Sequence, residues 1–375
     1  MAETLLYIGL MSGTSVDAVD AVLLAVAGNR VAVKGHHCQP VPEKLRADIQ
    51  TLSHSGADNI DLLGVTDNRI ATLFADAALA LMAQQELTAG AITAIGSHGQ
   101  TIRHRPGQAG QFTVQIGDPS TIAALTGVTT VADFRRKDMA LGGQGAPLVP
   151  AFHQHIFRHP DRNRAIINIG GIANITWLPS QHSPQPVLGF DTGPGNCLMD
   201  SWTRHKQGKP FDKDGLWAAS GSADSQLLEQ LLSEPYLQRA PPKSTGKELF
   251  NLEFLSKILA DNRRDLKPQD IQATLCEFTV ATIVGGLQLI PEDTRAAEIY
   301  LCGGGALNPY LVQRLRDKLP HEQLSTTAAM GIDPMHVEAA AFAWLAHQAL
   351  HKLPGNIPAV TGASREAVLG GIYFP

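Results

Sequence analysis

The stretch "YIGLMSGTSVDAVDAVLLAV", residues 7 to 26, places Gly13, Thr14, Ser15, Val16, Asp17, Ala18, Val19 and Asp20 between two apolar runs. A tight turn of this composition aims successive backbone N–H groups at one point. Gly13 lets the main chain approach an anion, and Thr14 and Ser15 add hydroxyl donors, so phosphate is the natural guest. An ordinary hairpin turn collects the same residue types. A second candidate is Asp191, in "VLGFDTGPGNCLMDSW" (187 to 202), at the end of an apolar run and followed by glycines and a proline. A carboxylate held there at a strand edge suits a general base. A cap for the next helix is the plainer role for such an Asp, and the flanking "GPGN" favours chemistry.

"GSHGQTIRHRP" and "VADFRRKD" contribute His98, Arg103, Arg135 and Arg136. A guanidinium fork takes a carboxylate well, although arginines are more often solvated surface groups. His153 and His155 in "HQH" lack a completing ligand set nearby and read as surface histidines. Glu338 falls in the first turn of a predicted helix, where the helix dipole alone favours it; a helix start facing a site would instead let it bond a sugar hydroxyl. "STGKE" at 244 to 248 departs from the Walker pattern. Gly303, Gly304 and Gly305 follow a strand and precede a helix, yet Asn308 stands where a dinucleotide fingerprint has Gly or Ala.

The elements that position these residues alternate. "RAIINIGGIANITWLP" (164 to 179) repeats the opening design, with apolar runs on either side of Gly170-Gly171, and two such hairpins suggest a pseudo-duplicated fold. Leu63, Ile70, Leu73, Phe74, Ala77 and Leu81 lie at helical spacing, and Ala91 to Ile95 read as a buried strand ending at "GSHGQT". A helix capped by Asp270, strand "EIYLC", helix "NPYLVQRLRDKL" and a helix with Asp333 as N-cap and Pro334 at N1 complete an α/β pattern. Glycines and prolines in "TVADFRRKDMALGGQGAPLVP" place a boundary near Phe134, giving domains 1–133 and 134–375, with the C-terminal residues able to pack back on the first.

With 375 residues, 44% of them hydrophobic, the chain can build a sizeable core. Thirty basic and 35 acidic residues, spread evenly for a net charge of −5, offer no footprint for nucleic acid. The apolar runs are too short for a membrane span, and no basic region precedes the first one, so neither anchor nor signal peptide is expected. Four scattered cysteines without a CxxC pair argue against a disulfide framework or zinc site and fit a reducing cytoplasm.

Together "GLMSGTSVDAVD", "GSHGQTIRH", "QIGDPSTIA", "VADFRRKDMALGGQGAPLVP", "NIGGIANIT", "GFDTGPGN", "PPKSTGKELFN" and "CGGGALNPYL" resemble, in order, the blocks of the anhydro-N-acetylmuramic acid kinases, from residue 9 to 311. The resemblance implies an α/β, two-domain actin-like ATPase (sugar kinase) fold with a central cleft, and cleft closure on ligand binding. It implies ATP and Mg2+ as cofactors, with Gly13 to Asp20 as first phosphate loop, Gly170-Gly171 in the second, and Gly303 to Gly305 in the adenosine loop. Asp191 would be the base that activates water to open 1,6-anhydro-N-acetylmuramic acid while ATP phosphorylates the released oxygen, in peptidoglycan recycling. His98, Arg135 and Glu338 would bind that small-molecule substrate; metal ligands are not assigned, and a homodimer is expected. The family usually has glycine where this chain has Ala18, which is tolerable only at negative φ. A nucleotide-switched binding module, or a related kinase with another acceptor, are the alternatives to this reading.

Overall fold

The fold is that of a computed structural model, which describes residues 3–375 apart from 55, 57, 58, 108, 109, 263 and 291–294. The chain forms two compact units, Met1–Ile156 with His336–Pro375, and Phe157–Met335.

In chain order the first unit contains β1 (Leu5–Ser12), β2 (Ala18–Ala27), β3 (Arg30–Pro40), α1 (Glu43–Ser53), α2 (Ile60–Gln84), β4 (Ala94–Arg105), β5 (Phe112–Ile116), α3 (Pro119–Thr126), β6 (Thr130–Ala132), α4 (Phe134–Ala140) and α5 (Val149–Phe157). The second contains β7 (Arg164–Ile169), β8 (Ile172–Leu178), β9 (Leu188–Pro194), α6 (Cys197–Gln207), α7 (Leu216–Ala219), α8 (Ser225–Leu232), α9 (Leu252–Asn262), α10 (Pro268–Gln288), β10 (Glu298–Cys302), α11 (Pro309–Lys318) and β11 (Gln323–Thr326). The chain then returns to the first unit with α12 (Val337–Leu350), α13 (Pro358–Thr361) and β12 (Gly371–Tyr373).

The two sheets are copies of one design. The first runs β3-β2-β1-β4-β6, extended by β12 beside β6 and by β5 beside β4; the second runs β9-β8-β7-β10-β11. In each, three consecutive antiparallel strands are followed by two parallel ones. Period-two alternation explains how the first sheet is covered on both faces. Ile8 and Leu10 of β1 join a core with Leu45, Ile49, Phe74 and Leu81 of α1 and α2. Gly9 lies on the other face, so close to α12 that a Cβ would strike the Ala339 carbonyl, and Gly96 of β4 meets Phe342 in the same way. The sequence of α12, "VEAAAFAWLAHQAL", is apolar nearly all round, as a helix buried against a sheet requires. In the second unit Ile167, Ile169, Ile175 and Phe190 of the sheet pack with Leu198 and Trp202 of α6, Leu275 and Phe278 of α10, and Leu311 of α11.

Several boundaries differ from the sequence reading. The units divide after Ile156, not near Phe134, because the glycine- and proline-rich stretch after α4 is pinned into the first unit rather than acting as a linker. Helix α10 starts at Pro268 with Lys267 at its N-cap, and Asp270 lies in the first turn, accepting from Ser222 N at 2.9 Å. Helix α12 starts at Val337; Asp333 instead closes a turn by accepting from Met335 N at 2.8 Å. Strand β4 begins at Ala94, after a 3-10 turn over Ala89–Ala91. His153 is buried, at 1% exposure, while His155 of the same helix is exposed.

Candidate functional site

The hairpin between β1 and β2 carries the first group of candidate residues. Its turn is closed by Val16 N donating to Gly13 O at 3.1 Å, and Val16 has φ of 57°. A β-branched residue in the left-handed region is a strained outlier that its surroundings must hold. Arg46 Nε donates to Val16 O at 2.9 Å, Val41 N donates to Asp17 O at 3.0 Å, and Arg46 pairs with the Asp17 carboxylate at 3.3 Å. The side chain of Val16 is buried in the core while Thr14, Ser15 and Asp17 are exposed. A Cβ added at Gly13 would meet no atom within 4 Å, so the space beside its main chain is open. Ala18 already belongs to β2 and is not among the residues of positive φ, so its methyl is accommodated without strain. Asp20 also lies in β2, its carboxyl raised by burial and eased by the Cys38 side chain and His36.

A polar cluster adjoins this hairpin. Arg135 of α4 donates from Nε (3.0 Å) and Nη2 (2.8 Å) to Nε2 of His98 on β4, and from Nη1 (2.7 Å) to Gly145 O. Accepting at Nε2 requires the neutral imidazole with its proton on Nδ1. Burial, then the Arg135 charge, hold the His98 pKa well below its ordinary value, which keeps the lone pair available. Glu338, partly buried at the start of α12, is raised by burial, lowered by Arg135 and raised by Asp20, so it lies within electrostatic reach of both. Arg103 and Arg136 are occupied elsewhere. The first donates to Leu52 O and His54 O at 3.3 and 2.8 Å, and the second is exposed and paired with Asp133 at 2.7 Å.

In the second unit three motifs converge at the carboxyl ends of β7 and β10, where open α/β sheets present their ligand sites. The Gly170-Gly171 turn receives the "GPGN" segment: Asn196 N donates to Gly170 O at 2.8 Å, and Gly195 N to Gly171 O at 2.9 Å. Asn196 Nδ2 donates to Ile169 O at 3.1 Å. Gly303 has φ of 76°, and a Cβ there would collide with Asn168 Oδ1; one at Gly305 would collide with Ile169. Gly304 differs, since a Cβ added there would come no nearer to another group than 3.8 Å, to Asn196 Nδ2, and Gly170 is similarly open.

Asp191 lies within edge strand β9 and caps no helix. A segment that sequence reading did not connect to it fixes its geometry. Asp191 N donates to Lys243 O at 3.2 Å, Thr245 N donates to Asp191 Oδ2 at 2.9 Å, and Tyr236 OH donates to Asp191 O at 2.8 Å. The buried Lys243 ammonium donates to Leu237 O at 3.1 Å and lies over the Tyr236 ring, 5.1 Å from its centroid. Burial lowers the Lys243 pKa and the Asp191 charge opposes that shift, which shows that the two charges sense one another. The one signal in the sequence was the block "PPKSTGKELF", whose contact with Asp191 spans more than 50 positions and so leaves no local pattern.

The duplicated sheets, each with a glycine turn after its first strand, define the class: a two-domain α/β chain of the actin-like ATPase and sugar-kinase type. The sequence profile described as anhydro-N-acetylmuramic acid kinase matches residues 5–375, and the chain belongs to that family. A Shewanella loihica protein named anhydro-N-acetylmuramic acid kinase is 52% identical over 98% of both chains, and one of that name from Shewanella sp. (strain MR-7) is 53% identical over 98% of both. Among solved structures, component A of the Acidaminococcus fermentans (R)-2-hydroxyglutaryl-CoA dehydratase matches 90% of this chain and 96% of its own, at 9% identity and a TM-score of 0.44. Among the described residues, no helix is long and apolar enough to cross a membrane.

Proposed function

We propose that the protein opens the 1,6-anhydro bridge of N-acetylmuramic acid with water and uses ATP to phosphorylate the oxygen released at carbon 6, giving N-acetylmuramic acid 6-phosphate. Asp191 takes a proton from water as the water oxygen bonds to carbon 1. The bond from carbon 1 to the bridge oxygen breaks with its electron pair on that oxygen, which attacks the γ-phosphorus as ADP leaves. Family membership names the reaction class, and the fixing of the Asp191 carboxylate by Thr245 N is the observation that supports its part as base. A base must be held in geometry before its pKa matters.

On this reading the Gly13 turn bears phosphate oxygens, which its open main chain accommodates, and the Gly170-Gly171 turn and Gly303–Gly305 loop serve the nucleotide from the second unit. Phosphoryl transfer is mostly positioning and charge neutralisation. Mg2+ would supply charge neutralisation at the phosphates. It needs one or two carboxylates rather than a dense cage, and the oxygen donors near the first turn fit it: Asp20, with buried Ser12 Oγ and Gln100 Oε1, neither of which has a hydrogen-bond partner among the described residues. Arg135, set by His98, takes the lactyl carboxylate, and Glu338 bonds a sugar hydroxyl. Four unbridged cysteines support a cytoplasmic setting.

Incubation with ATP, Mg2+ and the anhydro sugar in 18O-labelled water tests the whole scheme. The expected products are ADP and the 6-phosphate, with label at carbon 1 and none in the phosphate. Label in inorganic phosphate without sugar turnover would mean that water attacks ATP instead.

A further inference from the structure

Helix α4 carries a second polar side chain that the reaction scheme leaves unused. Asp138 is fully buried. Its Oδ1 accepts from Asn356 Nδ2 and Thr361 Oγ1, both at 2.7 Å, and its Oδ2 accepts from Gly145 N at 2.8 Å. Among the described residues these three contacts to its side chain are all donated by neutral groups and none by a cation, and an interior carboxylate without a counterion is a costly way to fill a core position. The surrounding loop is built around it. Gly143 N donates to Asp138 O at 3.0 Å, Gly143 lies so near that a Cβ would collide with Oδ2, and Gly145 has φ of 68°. The far side of the loop is stitched to the C-terminal segment, with Gln144 N donating to Thr361 O at 2.8 Å and Ser364 N to Leu141 O at 2.9 Å.

This knot reaches the site through one residue. The two peptide groups that meet at Gly145 do this: the preceding one presents the Gly145 N–H to Asp138 and the following one presents the Gly145 carbonyl to Arg135 Nη1, so the carboxylate anchors the residue whose carbonyl, with His98 Nε2, sets the plane of the guanidinium. Arg135 and Asp138 sit three residues apart on α4, so an anchor at 138 and a tether at 145 hold the arginine from its helix and from its head group together. A guanidinium recognises a carboxylate by a planar, paired geometry, which makes its orientation part of the affinity.

We propose that Asp138 is a positioning residue for the acidic sugar: acting through Gly145, it orients Arg135 toward the substrate's carboxylate, and the Asn356–Thr361 segment completes that anchor. The inference rests on the assignment of Arg135 to the sugar. Asp138→Asn keeps the volume but cannot accept from both Gly145 N and the donors on its other oxygen. The variant should raise KM for the anhydro sugar about tenfold, as expected for a misdirected charged hydrogen bond, with kcat and KM for ATP within about twofold of the parent. Leu81→Ala, in the fully buried core of α2, controls for lost stability and should leave KM for the sugar unchanged. Should Asp138→Asn not accumulate as folded protein, Gly143→Ala drives a methyl against the same carboxylate oxygen and is read in the same way.

In an Arg135→Ala background Asp138→Asn should add nothing to KM. Additive effects, or an unchanged KM in Asp138→Asn while Arg135→Ala raises it, would overturn the role of Asp138 alone. An unchanged KM in Arg135→Ala would overturn the assignment of Arg135, and the inference with it. A KM rise in Leu81→Ala equal to that of Asp138→Asn would reduce Asp138 to a stabilising residue.

Discussion

Gly13→Ala separates a turn that only reverses the chain from one that receives a phosphate. In the protein itself the added methyl meets nothing within 4 Å, and Gly13 does not need a left-handed conformation. The fold should therefore lose nothing, and restricting the unfolded chain should stabilise it by about 0.4–1 kcal/mol. A phosphate oxygen accepting from this turn would need the volume the methyl fills, because backbone donors bind at about 2.9 Å. We expect the dissociation constant for ATP to rise at least tenfold.

Thermal melts report both halves of that expectation. At a nucleotide concentration about 100 times the parent dissociation constant, binding stabilises the parent by about 2.7 kcal/mol; a tenfold weaker variant gains only about 1.4 kcal/mol. Gly13→Ala should thus melt at or above the parent without nucleotide and below it with nucleotide. Gly303→Ala sets the contrast, since positive φ and the collision with Asn168 should lower stability with or without ligand. Equal nucleotide-induced shifts in Gly13→Ala and the parent, with titration calorimetry giving equal affinities, would refute the phosphate assignment of this turn.

Other perturbations test the rest of the site and its scaffold. Asp191→Asn should bind ATP and sugar with near-parent affinity while kcat falls by about two to four orders of magnitude; near-parent single-turnover rates would place the base elsewhere. Burial pushes the His153 pKa down from 6.5 to about 3, so the unfolded chain binds a proton below pH 6.5 that the folded chain refuses. The stability this gives is complete above pH 6.5 and is lost as pH falls toward 3, by up to about 1.4 kcal/mol per pH unit. His153→Leu should flatten urea-derived stability between pH 6.5 and 4.5 by that slope, and an unchanged slope would contradict it. In the second sheet, Glu298 accepts from Arg164 Nε at 2.7 Å and also pairs with Arg162. Glu298→Ala strands the buried Arg164 charge and should cost about 3–5 kcal/mol; a shift in urea midpoint equivalent to less than 1 kcal/mol would mean that solvent already screens it.

Sequence signals were strongest where one residue type has one physical use. Apolar runs flanking glycines marked β1, β2, β7 and β8, because a sharp reversal between buried strands demands residues without bulky Cβ groups. Helix α2 followed from its 3.6-residue spacing. Aspartates misled the reading, since the same side chain caps helices and closes turns: Asp333 does the second, and at α10 the Pro268 ring already sets the first turn two residues before Asp270. In the HQH pair His153 was misread, and His155 was not, for a related reason. Residues two apart on a helix face different ways, so His153 enters the core while His155 stays out, and composition alone does not say which side of α5 is covered.

The glycine-rich stretch after α4 carries the same lesson into the site. Gly142, Gly143 and Gly145 look like a linker, and a linker would be free to vary in conformation. Two of them are instead fixed against Asp138, Gly143 N on its main-chain carbonyl and Gly145 N on its buried carboxylate, and Gly145 also accepts from Arg135. His98 and Arg135 lie 37 positions apart, Asp191 and Thr245 54 apart, and Asp138 and Thr361 223 apart. Single residues chemically suited to act could be picked out from type and neighbourhood. The groups that aim them are joined by tertiary hydrogen bonds, so each residue proposed to act, Arg135 and Asp191 alike, depends on a backbone carbonyl or N–H elsewhere in the chain whose contact leaves no local sequence pattern.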